Sequence, residues 1–589
     1  MRKLGVYLRE YRKESVLAPL FKLLEALMDL LVPVVVADII NRSIRGHEDG
    51  VVVRYFLLLI GLAALGVGFS FAAQWMSAKA SVGFATRVRQ ALFDHVQKLG
   101  YRELDALGTD TIITRMTSDV NQVQNGLNLA LRLLLRSPFI VFGAMIMAFT
   151  IDTRSAVIFA VVIPLLSVVV FGIMLLSIPL FARVQTALDR LLGTTRENLT
   201  GVRVIRAFCK EKQEIDEFDR RNTLLTKLNE KVGRLSALMN PATFLLINAA
   251  TIVLIRTGAL QVSGGVIQQG DVVALYNYMA LIVVELVKLA SLIISINKAL
   301  ACGRRVQAVL EMEPAMKYPE TMPEVVSGSD TAVRFSRVSF SYADAGDEVL
   351  TDIDFTVRRG QTVGIIGGTG SGKSTVAHLI SRFYDVSSGC VEVDGLDVRR
   401  YPAGELTKRI GVVPQKAVLF QGSIRDNLKW GREDAADEEL WEALETAQAA
   451  EVVREKDGQL DAPVEQGGRN FSGGQRQRLT IARALVKKPE ILILDDSASA
   501  LDFATDLALR RAIAGLSGDM TVIIISQRTS SVRAADRILV LDDGRMAGFG
   551  THDELMAQCE VYREIYRSQV SADSPRETKE QASGTEVLS

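Results

Sequence analysis

Cysteine is scarce in this chain. Four occur in 589 residues, at Cys209, Cys302, Cys390 and Cys559, and no two stand in a CxxC spacing. That argues against a disulfide frame or a cysteine-built zinc site and reads as reduced thiols. Histidine is equally scarce: His47, His95, His378 and His552 lie far apart in sequence, so a histidine metal centre is not expected. An excess of either charge is also missing. Lys plus Arg and Asp plus Glu both number 68, which leaves no bulk attraction to nucleic acid. A cleavable leader is not expected either. The opening MRKLGVYLREYRKES is basic and mostly polar, and the long apolar stretch after it has no cleavage pattern. Residues 1–15 read as a short amphipathic helix on the inner membrane surface, with a frayed soluble end as the plain alternative.

Apolar residues are abundant. They make up 48% of the chain, and the mean hydropathy is +0.21, high for a soluble protein. Six stretches before residue 300 are long enough to cross a bilayer, at roughly 17–40, 55–77, 132–151, 155–180, 240–262 and 272–296. The first is interrupted by Lys22, Glu25 and Asp29, which share one helical face and either meet water or pair with each other. Lys and Arg crowd the segments before the first span, between the second and third, and between the fourth and fifth. Positive residues stay inside, so both termini and two long amphipathic loops are expected in the cytoplasm of a multi-pass inner or plasma membrane protein. In the sixth span Glu285 and Lys288 stand three apart, either a substrate-cavity wall or a structural ion pair.

The sequence implies an all-α transmembrane domain over 16–307, a Pro- and Gly-containing linker over 308–332, an α/β domain over 333–568 and a polar tail over 569–589 expected to be disordered. Within the α/β part, VGIIGGTGSGKST (363–375) is an apolar strand, a glycine loop and a helix start. It fits GxxxxGK[ST], in which backbone N–H groups and a lysine cradle phosphates and a hydroxyl ligates Mg²⁺. Candidate ATP-binding residues are therefore Gly367, Gly368, Thr369, Gly370, Ser371, Gly372, Lys373, Ser374 and Thr375. The buried strand ILILD ends in Asp495, a second Mg²⁺ ligand beside Ser374, and is followed by Asp496. Ser472, Gly473, Gly474 and Gln475 form a Ser-Gly-Gly turn ahead of a helix, a second phosphate cradle.

With these motifs the chain resembles a half-transporter of the ATP-binding cassette (ABC) superfamily, of the exporter type with six spans followed by one P-loop NTPase cassette. The resemblance covers nearly the whole chain. It implies that Gln415, in VVPQ, senses Mg²⁺ and the membrane half, that Tyr342, in FSY, stacks on adenine, and that Asp502 closes a D-loop in SALD. It makes ATP and Mg²⁺ the cofactors, and 108–120 and 197–208 the cytoplasmic loops that dock on cassettes. It also implies a second half-transporter as partner, with Ser472 to Gln475 serving the partner's ATP.

Two positions depart from the family pattern. Asp496 stands where Glu normally positions the attacking water, and Gln527, in VIIISQRTSSV, stands where a switch histidine is normal. Both belong to the same composite site, whereas the signature FSGGQ is nearly intact and serves the other. The expected function is thus ATP-driven multidrug-type export of hydrophobic small molecules by the degenerate-site subunit of a heterodimer. Its partner would carry Glu and His at the altered positions. A homodimeric exporter of lipids or peptides, and a non-transporting ATP sensor in the membrane, are the alternatives.

Overall fold

The computed structural model describes residues 4–46, 49–323, 330–342, 346–516 and 520–573. The chain divides into two compact units, residues 1–97 with 109–312, and residues 98–108 with 313–589.

The first unit is helical throughout. Its long helices are Arg12–Gly46, Asp49–Val96, Arg136–Ile151, Thr153–Thr200, Glu211–Ala237, Met239–Ser263 and Gln269–Leu310. Among the described residues, five helical stretches are long and apolar enough to cross a membrane: Val52–Val96, Thr109–Ile151, Thr153–Thr200, Glu211–Ser263 and Gln269–Leu310. Helix Arg12–Gly46, the first expected span, has the length but is not among them. Lys22, Glu25 and Asp29 dilute its apolarity, and Arg136 of another helix pairs with Asp29.

The outer faces of these helices are strongly apolar; Phe71, for example, is 75% exposed. In an aqueous protein such side chains would be buried, whereas a bilayer solvates them. The inner faces pack small and branched residues together: Ala26, Leu30, Ile140, Ala144, Leu254 and Leu275 form one cluster. Gly270 lets two helices touch. A Cβ there would fall 2.2 Å from the Ala37 carbonyl oxygen, and its N–H donates instead to Asn41 Oδ1 at 2.7 Å. Helix Gln269–Leu310 reaches into the stretch expected as linker.

The second unit carries two main sheets. One is antiparallel, ordered β2-β1-β4-β5, from Leu350–Arg358, Thr331–Phe340, Ser388–Val393 and Leu396–Asp397. The other is six-stranded, ordered β12-β11-β3-β10-β9-β6, from Arg545–Gly550, Arg537–Asp542, Thr362–Gly367, Thr521–Ile525, Ile491–Asp495 and Ile410–Val413. All of its neighbours are parallel except the edge pair β11 and β12. A two-residue pair, β7 Gly422–Ser423 and β8 Pro463–Val464, lies apart. β9 is buried along its whole length, which is why it reads as a continuous apolar run rather than an alternating one. The last helix, Glu560–Asp573, runs five residues into the tail expected from 569; residues 574–589 lie outside the described residues.

Candidate functional site

β3, β9 and β10 run parallel in register, with Ile365 and Asp495 both opposite Ile525. Their carboxyl ends therefore open on one side of the sheet, where parallel α/β folds bind ligands. A cavity of about 310 Å³ lies there, walled by Thr369, Gly370, Gly372 to Thr375, Gln415, Asp495, Asp496 and Gln527, with Val349, Ile525 and Ser526.

Three glycines of the loop, Gly367, Gly370 and Gly372, are required by geometry. Gly370 and Gly372 have φ of +83° and +91°, left-handed values that L side chains rarely adopt. A Cβ on Gly372 would also fall 2.4 Å from Leu350 Cδ2, and one on Gly367 would fall 2.2 Å from the Leu541 carbonyl oxygen. Gly368 is followed by the bend in which Ser371 N–H donates to its carbonyl at 3.3 Å. Lys373, buried, opens helix Lys373–Ile380 and donates from Nζ to the carbonyls of Gly367, at 3.0 Å, and Gly368. Burial pushes its ammonium below the ordinary lysine range, with Asp496 and Asp495 opposing. A loop that places a buried cation at a helix N-terminus fits a polyphosphate.

Ser374 Oγ donates to Asp495 Oδ1 at 3.0 Å. Burial raises the Asp495 carboxyl above its ordinary range, and the Ser374 bond only partly opposes this. A part-buried hydroxyl–carboxylate pair is an oxygen donor set that a hard cation such as Mg²⁺ can use. Among the described residues no group of three His, Cys, Asp or Glu could hold a metal unaided. These two oxygens suit an ion that arrives with its own phosphate ligands.

Asp496 sits at φ +44°, its N–H donating to the Ile525 carbonyl at 2.9 Å. The turn sends its carboxylate towards Gln415, whose Nε2 donates to Oδ2 at 3.3 Å. Burial raises this carboxyl too, with the Gln415 bond opposing. Gln527 is exposed on the same cavity wall. Its backbone is fixed from outside: Gln569 Nε2 donates to the Gln527 carbonyl at 2.7 Å, and Gln569 Oε1 accepts from the N–H and hydroxyl of Thr529, both at 2.8 Å. Sequence reasoning missed Gln569, because a glutamine near a polar end has no motif around it.

Tyr342 is half-buried and not on the cavity wall. Its ring meets Phe340 and Tyr384 edge-on, at 4.8 and 5.1 Å between centroids, and its hydroxyl lies 3.2 Å from Thr375 Oγ1 and 3.4 Å from His378 Nδ1. Tyr384 in turn bonds Asp105, and Phe383 stacks on Tyr101 at 4.5 Å. The short helix Tyr101–Leu107 therefore belongs to the second unit. It directly precedes 108–120, the segment expected to dock.

The Ser-Gly-Gly turn lies elsewhere. Ser472 caps helix Gly473–Val486, its Oγ accepting from Gln475 N at 3.3 Å while Gln475 Oε1 accepts from Ser472 N at 3.0 Å. Ser472 and Gly473 are exposed, and none of residues 472–475 walls the cavity. Asp502 caps helix Phe503–Gly515 by accepting from Thr505 N at 3.2 Å.

Comparison with known proteins agrees with this geometry. The family described as ABC transporter transmembrane region matches residues 15–286, and that described as ABC transporter matches 350–499. A protein of Mycobacterium tuberculosis strain CDC 1551, described as an uncharacterized ABC transporter ATP-binding protein, is 37% identical over 96% of this chain and 97% of its own length. The uncharacterized ABC transporter ATP-binding protein YfiB of Bacillus subtilis strain 168 is 34% identical over 97% of this chain and 98% of its own. A solved structure described as a bacterial Atm1-family ABC exporter with ATP bound shares the fold at a TM-score of 0.79 and 24% identity, covering 96% of this chain and 99% of that one.

Proposed function

This chain belongs to the ABC transporter family, and from that premise we propose that it is the degenerate-site subunit of a heterodimeric, multidrug-type exporter of hydrophobic small molecules. The observation that carries the reading is the grouping of residues. Asp496 and Gln527 share one cavity with Lys373, while Ser472 to Gln475 stand outside it. One phosphate site therefore holds both departures, and the intact turn is free to serve another chain's site. Losing one site while keeping the surface that completes the other is favourable only if the second chain differs.

Each residue then has a role. The loop Gly367 to Thr375 binds the triphosphate, and Ser374, Asp495 and Gln415 hold Mg²⁺. Bound Mg-ATP supplies the phosphoanhydride bond that is hydrolysed. Asp496 would orient the attacking water and accept its proton, but its carboxylate is one methylene shorter than glutamate, a displacement on the scale that costs about 10²-fold in rate. Gln527 can donate a neutral hydrogen bond to the γ-phosphate but cannot supply an imidazole's charge or proton. Tyr342, beside the cavity wall, would stack on adenine as the family resemblance implies, and Asp502 caps the helix after the D-loop.

The need for a second chain has further support. Helix Glu211–Ala237 packs in its own chain chiefly on Thr153–Thr200, and the apolar side chains of Leu199, Phe208 and Ile215, in and between these helices, are exposed. A partner half-transporter covers such a surface. The chain resides in the inner or plasma membrane with both termini in the cytoplasm.

The test of nucleotide binding is Lys373→Ala in the complete complex. ATP occupancy at this cassette should be lost while the partner's site still loads. Undiminished occupancy at both sites would contradict the assignment.

A further inference from the structure

Three helices of the first unit carry charge at hydrocarbon depth. At 1.5 Å per residue, Asp29 lies about 17 Å and Glu285 about 20 Å from the outer ends of their apolar stretches, inside a hydrocarbon core of about 30 Å. Charge at that depth is expensive unless it is paired or faces water.

The structure pairs it. Arg136, one helical turn into the third apolar stretch, is the hub. Its Nη1 donates to Glu285 Oε1 at 2.7 Å and its Nη2 to Asp29 Oδ2 at 2.9 Å, with Nε 3.9 Å from Glu25 Oε1. Lys22 Nζ bonds Glu25 at 2.5 Å and Lys288 Nζ bonds Glu285 at 3.0 Å, while Ser137 Oγ donates to the other Glu285 oxygen at 2.7 Å. Lys22, Arg136 and Lys288 thus balance Glu25, Asp29 and Glu285.

The network is closed in charge but open in space. The side chains of Lys22, Glu25, Arg136 and Glu285 are between 4% and 14% exposed, whereas Asp29 is 40% and Lys288 46% exposed. Its two free ends are therefore one carboxylate and one ammonium, joined through a single guanidinium and a single carboxylate. Neither end is stable against lipid, so each calls for water or a polar ligand. A device that only fastened helices together would gain by covering these ends.

We propose that Asp29 and Lys288 form a binding subsite for a zwitterionic amphiphile. Asp29 takes the ligand's cationic group and Lys288 its anionic group, while the buried core holds both in place. Opposite charges at the two ends fit a ligand that carries both signs better than a ligand of either sign alone, because a singly charged group meets one attractive and one repulsive end. The inference deepens the export reading by naming a substrate class, and rests on that reading only for transport of the bound ligand.

The test is equilibrium binding to the complete, nucleotide-free transporter in nanodiscs, corrected with empty nanodiscs. The probes are decylphosphocholine, decyltrimethylammonium and decyl sulfate, which share one chain and differ in head charge. Decylphosphocholine should bind saturably and about tenfold more tightly than either singly charged probe, the equivalent of one charge-assisted contact. Asp29→Asn should weaken decylphosphocholine binding about as much while sparing decyl sulfate, and Lys288→Gln should weaken it while sparing decyltrimethylammonium. Lys373→Ala should leave all three affinities unchanged, which separates this proposal from the nucleotide reading. Equal affinities, a preference for one singly charged head, or no saturable binding in the unmodified protein would each overturn it, and none of these depends on a variant that folds.

Discussion

At the scale of single residues, the proposed weakness of the site lies in the distance Asp496 can reach. Its backbone is fixed at φ +44° and by the bond to Ile525, so the carboxylate cannot advance by a small backbone shift; only a longer side chain can move it. Gln527 faces the same cavity on a backbone that is also held. Asp496→Glu combined with Gln527→His should therefore raise turnover at this site, by up to about 10²-fold, in a complex whose partner glutamate has been disabled. Single-turnover ATP hydrolysis measures it. No gain in a complex that still binds ATP would place the defect outside these two side chains.

At the scale of elements, helix Glu560–Asp573 does more than end the chain, because Gln569 makes three hydrogen bonds to the segment that carries Gln527. Each such bond is worth about 0.5–1.5 kcal/mol. Gln569→Ala should let residues 527–532 open more often, seen as faster deuterium exchange there with the rest of the cassette unchanged. Unaltered exchange would show that β10 and the turn at Ser526 hold the segment without it. The same helix shows where sequence reading stops. The glycine loop and β9 were legible because phosphate binding and a fully buried strand each demand particular residue types at fixed spacing. The intramembrane charges of the first apolar stretch were legible as charges, since Lys22, Glu25 and Asp29 interrupt its periodicity. Arg136, the shared partner of Glu25 and Asp29, was not, because it comes from a span more than a hundred residues away and pairing across helices leaves no local pattern. Helix Tyr101–Leu107 lies just upstream of the segment that resembles the family's loop, and its place in the second unit shows only in contacts distant in sequence, the stack of Tyr101 on Phe383 and the bond of Tyr384 to Asp105.

At the scale of the whole molecule, the claim is that turnover is unequal between the two composite sites, and one pair of variants separates it from shared hydrolysis. On that claim Gly474, in the turn capped by Ser472, serves the partner's competent site, and Asp496 belongs to the weak one. Gly474→Asp would bring a negative charge towards a triphosphate, opposing cassette closure. A Cβ at this position also comes within 3.0 Å of the Ala500 carbonyl oxygen, so Gly474→Ala serves as the control for crowding alone. The decisive measurement is steady-state ATPase of the complete complex carrying Gly474→Asp, beside the same complex carrying Asp496→Asn. Activity should fall close to background with Gly474→Asp, less with Gly474→Ala, and only slightly with Asp496→Asn. Equal damage from Asp496→Asn and Gly474→Asp would mean that both sites hydrolyse ATP, and the asymmetric account would be wrong.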